Sequence, residues 1–204
     1  MPTPQLPHGL DLSVVVALQT RLTTTWHEAP FLPTQSGFLA AVELNHHFNF
    51  SLWHEEDIAR VDGQGDERIR MAKRHIDRYN QQRNDAMESM DDHLLGYITQ
   101  VGVNPATPMH TETPGMVIDR LSILNLKRYH MAEEANRTSA SSEHRDRCAD
   151  KLIVLEQQLS DLNMALQDTV AEVLNGKRHF RKYRQMKMYN DPQLNPALYG
   201  QGKL

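Results

Sequence analysis

Apolar residues recur every three or four positions along most of this chain, and strict alternation of apolar and polar residues is absent. This spacing is that of one helix face, so it predicts an all-α fold. Proline and glycine lie between the periodic segments, where they interrupt helices. We predict one all-α domain over 1–204, a bundle of about six helices with long central helices, with irregular termini at 1–9 and 190–204.

Helix boundaries follow from these interruptions. The first three helices are predicted over 10–28, 35–61 and 66–101, separated by Pro30, Pro33 and a glycine-containing stretch at 62–65. Thr113 followed by Pro114 is typical of a helix start, so a fourth helix is predicted to run from there to about 137. A fifth follows the small polar stretch 138–142, and a short sixth helix follows Asn175 and Gly176.

Polar residues interrupt the apolar faces of the second, third and fourth helices. An unpaired buried charge is costly, so the charged members of this set should compensate one another. We predict in particular that Glu56, Arg83, Asp119 and Arg120 form one cluster. The interrupting and adjoining polar residues are Asn45, Asn49, Glu56, Asn80, Arg83, Asn84, Asp119, Arg120, Ser122 and Lys127.

Two hypotheses explain this polar core, and the residues favour them equally. In the first, the cluster is structural and fixes how the helices pack. In the second, it binds a small anion through Arg83, Arg120 and Lys127, aided by the free amides at 113–115. Asn45, Asn49, Asn80 and Asn84 would then supply neutral hydrogen bonds. Glu56 and Asp119 are the candidates for general acid and base if a reaction takes place.

Possible metal ligands are concentrated in the segment 46–57 of the second helix. The weak candidates are His54, Glu55 and Glu56, but successive helical side chains point in different directions and do not converge on one ion. A Glu-x-x-His spacing begins at Glu43 without the second copy that di-iron bundles need. No phosphate loop, nucleophile elbow or zinc-protease motif is present. We therefore predict neither a metal site nor a cofactor.

Composition places the chain among globular proteins. It has 204 residues, of which 39% are hydrophobic and 24% charged, with a net charge of −4. It contains no apolar run of the length needed to span a bilayer and no recognisable secretory signal, so we expect no membrane span and a cytoplasmic location. The only cysteine, Cys148, lies in a charged helical segment and is expected to be a spectator thiol.

Two further segments suggest interactions. The predicted sixth helix, at 177–187, holds six of the 22 basic residues and none of the 26 acidic ones. We expect it to dock on the acidic body rather than on nucleic acid or a membrane surface. The fifth helix carries a leucine seam that could drive self-association. The seam consists of Leu152, Leu155, Leu159, Leu162 and Leu166, and the basic residues are Lys177, Arg178, Arg181, Lys182, Arg184 and Lys187.

Five long sequence strings together resemble a bacterial domain-of-unknown-function family numbered forty-two fifty-four. The strings are ELNHHFNF from Glu43, LWHEED from Leu52, NQQRND from Asn80, TPGMVIDRLSIL from Thr113 and YRQMKMYNDP from Tyr183. The resemblance covers nearly the whole chain and implies a helical fold and a bacterial source. It brings no catalytic residues, and it implies a link to cell-envelope polysaccharide synthesis. The strings coincide with the polar interruptions found from periodicity.

The interpretation we favour is a protein that binds a small anionic or sugar-phosphate-like molecule in a polar core between helices. The alternative is an interaction or accessory protein whose polar cluster is purely structural. A closed cluster without solvent would favour the accessory protein, whereas an open pocket would favour the ligand site.

Overall fold

The computed structural model describes residues 6–61, 63, 65–103, 108–186 and 193–196, apart from the side chain of His8. Within these residues the chain forms a short 3-10 helix, His8–Leu10, and five α-helices, and it forms no β-strand. The helices are α1 Val15–Glu28, α2 Gly37–Arg60, α3 Asp66–Gln100, α4 Pro114–Asn136 and α5 Ser142–Leu174. The predicted all-α fold is confirmed.

The helices pack around one apolar core. Helix α2 lies along α3, α4 lies along α5, and α1 packs against both α2 and α4. Each helix contributes fully buried or nearly buried apolar side chains, for example Leu22, Val42, Met90, Ile118 and Leu166. Burying such side chains is the main favourable contribution to folding, so this shared core fixes the relative positions of the helices.

Helices α3 and α4 approach each other closely at Gly115. A Cβ atom there would lie 2.5 Å from the Met87 carbonyl oxygen and 2.9 Å from Asp91 Oδ1. The Gly115 amide donates a hydrogen bond of 2.8 Å to Asp91 Oδ1, and the Met116 amide donates one of 3.2 Å to the Thr113 hydroxyl. The N-terminal amides of α4 are therefore bound by side chains of the protein itself, and the predicted Thr113 cap is confirmed.

The first helix begins later than predicted. Helix α1 starts at Val15 instead of residue 10, after the 3-10 helix and a turn. Asp11 holds this turn, because its Oδ1 accepts hydrogen bonds from the amide and the hydroxyl of Ser13. Aspartate competes in this way with helical hydrogen bonding, and the apolar spacing before Val15 does not reveal it.

The prediction of a sixth helix is wrong. The described part of the basic segment, 177–186, is irregular and extended. It docks on the body by three contacts. Phe180 is buried, and the His179 carbonyl accepts a hydrogen bond of 2.7 Å from the His110 amide. Lys182 lies 2.7 Å from Asp92. An extended chain lets the bases reach separate acids on the body, whereas a helix would crowd six like charges. Lys187 and most of the predicted irregular termini lie outside the described residues.

The leucine seam of α5 is partly used inside the chain. Leu159 and Leu166 are buried in the core, and α5 packs along α4. Exposed apolar residues on α5, such as Ile153 and Met164, lie outside this core. Self-association through the seam stays a prediction. None of the helices described has the length and apolar character needed to cross a lipid bilayer.

Candidate functional site

Asp119, near the middle of α4, is the centre of the polar core. Arg83 of α3 donates to both of its carboxylate oxygens, with 2.7 Å between Arg83 Nε and Asp119 Oδ1. The amides of Asn45 and Asn49 on α2 donate to the same Oδ1 at 2.9 and 3.0 Å. The carboxylate in turn raises the pKa of the Arg83 guanidinium, chiefly by accepting its hydrogen bonds. This buried acid is thus compensated by one base and two amides.

The hydrogen bonds continue from Asn49 to the other side of the core. Asn49 Nδ2 donates to Ser122 Oγ at 3.0 Å, and Ser122 Oγ lies 2.7 Å from His46 Nδ1. His46 Nε2 lies 2.9 Å from the Thr23 hydroxyl, which donates to the Gln19 carbonyl of α1. Since the Thr23 proton goes to a carbonyl, His46 Nε2 carries a proton and Nδ1 accepts from Ser122.

We call the set Arg83, Asp119, Asn45, Asn49, Ser122, His46 and Thr23 the polar network. It joins α1, α2, α3 and α4, with Asn49 donating to Asp119 on one side and to Ser122 on the other. Its members other than Arg83 are buried, and complete burial lowers the pKa of the His46 imidazole to about 3. Because its members are hydrogen-bonded to one another, the interior of the network is structural and gives no room for a ligand.

An open groove lies on the outer side of this network. We call it the α2–α3–α4 groove, and its volume is about 470 Å³. Among the residues that the structure describes, the Asn80 side-chain amide has no hydrogen-bond partner. The network residues Asn49 and Arg83 form part of the groove wall. The other lining residues are Leu52, Trp53, Glu56, Asp57, Arg60, Asn80, Ile123 and Leu126.

The prediction that Glu56, Arg83, Asp119 and Arg120 form one cluster is wrong. Of these four residues only Arg83 and Asp119 pair. Arg120 follows Asp119 directly, and about 100° of helical rotation turns its side chain outward, where it lies 2.8 Å from Glu112. Glu56 lies 3.1 Å from Arg60 at the exposed rim of the groove.

The predicted positive pocket at the start of the fourth helix does not form either. Arg120 and Lys127 do share a face, but it lines a different groove of about 620 Å³ between α4 and α5. The amides at the start of α4 that would complete the pocket are bound by Asp91 and Thr113. Asn84 lies one turn beyond Asn80 and does not line the α2–α3–α4 groove. Ligand binding by Arg120, Lys127 and Asn84 therefore stays a prediction without a common site.

The weak metal candidates of the second helix also separate. Glu55 accepts from His75 at 2.7 Å and from Arg68 at 3.4 Å, so its carboxylate is occupied by two bases of α3. His54 instead meets His27 of α1 and His130 of α4, and one ligand atom from each lies within 4.8 Å of the others. Sequence reasoning missed His27 and His130, because residues so far apart in the chain form no spacing motif.

The fold and the site together define an all-α protein with a buried polar network beneath an open groove. The model of one family, described as "Protein of unknown function (DUF4254)", matches residues 39–182. The chain belongs to this family, as its sequence strings indicated. The matched residues include the α2, α3 and α4 positions of the polar network, whereas α1 lies outside them. No curated protein and no solved structure matches the chain.

Proposed function

We propose that the α2–α3–α4 groove binds a small sugar-like molecule that carries at most one anionic group. The proposal keeps the sugar-phosphate hypothesis and narrows it, because the groove is not strongly positive. Glu56 and Asp57 balance Arg60 and Arg83 along its walls. A ligand with several negative charges would meet these acids, whereas hydroxyl groups can bind acids, amides and guanidinium groups alike.

The observation that carries the proposal is the Asn80 amide, which is half-buried in the groove wall and has no hydrogen-bond partner among the described residues. Asn80 offers two donors and one acceptor to the groove. Trp53 lines the same groove and is half-buried, so it adds an apolar ring that can cover the carbon face of a sugar. Small-molecule sites commonly combine apolar walls with a few placed polar groups, and this groove has that composition.

The polar network would act as the support of this groove. Asn49 and Arg83 line the groove and are held by Asp119, so their positions are set before a ligand arrives. Pre-organisation of this kind reduces the cost of binding. Asp119 itself accepts from four donor groups and is enclosed, which makes it unsuited to transfer a proton. Glu56 and Asp57, at the open side of the groove, are carboxylates that a ligand can reach.

Ligand-observed NMR tests this proposal with defined probes. N-acetylglucosamine and glucose 1-phosphate serve as the neutral and the singly phosphorylated sugar, and inorganic phosphate serves as the anion without a sugar. We expect saturation transfer to the sugars that is lost in Asn80→Ala and retained in Asn84→Ala, one turn away and outside the groove. Binding of phosphate alone, or equal binding by both variants, would contradict the groove as a sugar site.

A second candidate function, interaction with another protein chain, is favoured by a different observation. Ile153 and Val154 on α5 are 67% and 54% exposed. Light scattering at increasing protein concentration tests self-association, with Ile153→Lys as the variant that should weaken it. A monomer at every concentration would remove the hypothesis of self-association through α5.

A further inference from the structure

Three histidines from three helices converge beside the groove. His27 ends α1, His54 lies in the second half of α2, and His130 lies in α4. Their ring centroids are 5.2 to 5.8 Å apart, and the rings are inclined to one another by 71° to 84°. One nitrogen from each ring lies within 4.8 Å of the others. Rings inclined in this way can direct their nitrogen atoms at one central point.

Hydrogen bonds fix which nitrogen is free on two of these rings. His27 Nδ1 lies 2.7 Å from the Thr23 carbonyl oxygen, which can only accept, so Nδ1 carries the proton. His130 Nδ1 lies 2.7 Å from a Glu133 carboxylate oxygen, which fixes the same tautomer. In the neutral form of each ring, Nε2 is then the nitrogen that carries the lone pair. Both Nε2 atoms are buried and have no hydrogen-bond partner among the described residues.

From this geometry we propose that His27, His54 and His130 bind a divalent transition-metal ion, zinc in the first instance. Neutral imidazole nitrogen is a preferred ligand of zinc and its neighbours in the first transition series. Histidine ligands usually donate their second nitrogen to a carbonyl or carboxylate, as His27 and His130 do here. Buried lone pairs without a donor are costly, and a cation between them removes that cost.

The distances require only a small movement. Zinc lies about 2.0–2.1 Å from histidine nitrogen, so three tetrahedral ligand atoms are about 3.4 Å apart. The present separation of up to 4.8 Å closes if each ring turns slightly toward the centre. Three protein ligands leave a fourth position for water or another small molecule, as in catalytic zinc sites.

Neighbouring side chains hold the rings and favour a cation. Tyr129 stacks on His27 with 4.3 Å between ring centroids, and Trp53 stacks on His130 with 4.8 Å between them. The acidic side chains near enough to act electrostatically on His54 are those of Asp57 and Glu133. Their negative charge attracts a divalent cation to the three histidines.

Isothermal titration of the full-length protein with Zn²⁺, after removal of metal by EDTA, tests the site. We expect one equivalent of zinc to bind and to raise the melting temperature. His54→Ala and His130→Ala should each weaken binding by about 100-fold or more, since even outer-shell changes weaken metal binding about 10- to 100-fold. The exposed His93, on α3, supplies the matched control, and His93→Ala should bind zinc like the parent.

Two further measurements keep the test decisive. Glu133→Gln leaves the three ligands in place and removes the carboxylate behind His130, so it should weaken binding by about 10- to 100-fold. Co²⁺ in place of zinc should give the visible absorption of a four-coordinate cobalt site, lost in His54→Ala. Circular dichroism shows whether each variant remains helical.

Three results would contradict the three-histidine site. Absence of one-equivalent binding in the parent, or unchanged binding in folded His54→Ala, would overturn the proposal. Cys148 lies 3.4 Å from His144 on α5 and provides a second place where zinc could bind. Binding that survives in His54→Ala and is lost in Cys148→Ser would place the ion there and reject the three-histidine site.

Discussion

Protonation of His46 should destabilise the fold as the pH falls. Complete burial lowers the pKa of this imidazole from the usual 6.5 to about 3. As the pH drops below 6.5, the unfolded chain binds a proton that the folded protein does not bind. Stability from this group is therefore fully present above pH 6.5 and is lost progressively toward pH 3.

The expected size of this effect follows from the two pKa values. Between pH 7.5 and pH 4.5 the loss attributable to His46 is about 2.7 kcal/mol, at about 1.36 kcal/mol per pH unit below pH 6.5. The polar network adds a geometric reason for this cost. His46 Nδ1 accepts from Ser122, so a second ring proton would force the serine to give up its own donation.

Urea denaturation of the parent and of His46→Gln across pH 4.5 to 7.5 measures this loss. Glutamine does not titrate, so the variant should be less stable at pH 7.5 and should lose about 2.7 kcal/mol less than the parent on acidification. Subtracting the variant's loss of stability from that of the parent removes the contribution of the other histidines. Equal pH dependence of the two proteins, or an NMR titration showing His46 protonated near pH 6 in the folded state, would refute the reasoning.

Three further changes can be measured by urea denaturation. Gly115→Ala should cost about 1–3 kcal/mol, since its Cβ would meet backbone of α3 at 2.5 Å; Gly96→Ala has open space and should gain about 0.5–1 kcal/mol. Asp119→Ala should cost about 3 kcal/mol, because it strands a half-buried guanidinium, whereas Glu56→Ala should cost less than about 1 kcal/mol. Burial raises the pKa of Asp91 to about 6, so the stabilising contribution of its protonated form is lost as the pH rises through that value. Between pH 4 and pH 7 the free energy of unfolding of Asp91→Asn should therefore rise by about 2 kcal/mol relative to that of the parent.

Each of these three has a result that would contradict it. A neutral Gly115→Ala would mean that α3 and α4 can separate without cost. Equal losses for Asp119→Ala and Glu56→Ala would mean that the two acids have the same surroundings. A constant difference between Asp91→Asn and the parent across the pH range would mean that Asp91 does not titrate with a raised pKa.

The helices were predictable from the sequence because their ends carry local signals. Pro30 and Gly176 end helices through their own backbone restrictions, and Thr113 caps α4 with its own side chain. The basic segment was not predictable in this way. Its conformation depends on Phe180 and on pairing with Asp92, which are contacts made across the fold.

The candidate site was predictable in part for a similar reason. Periodicity shows that Asn45, Asn49, Arg83 and Asp119 interrupt apolar faces, and this is enough to bring them together. It does not separate Arg120 from Asp119, since one residue of rotation decides between core and solvent. The three histidines needed the packing of α1, α2 and α4, which no spacing along the chain reveals.

The direction of the hydrogen bonds in the polar network limits which arrangements of the helices can compete with the native one. Contacts between apolar side chains such as Leu52 are not directional, so they penalise a slide of α2 by one turn less sharply than hydrogen bonds do. The donors and acceptors of Asn45, His46 and Asn49 would then lose their partners together. Alternative packings with similar apolar burial are thereby raised in free energy, and a gap opens between them and the native structure. The polar network thus selects one arrangement among several that the apolar core alone would accept.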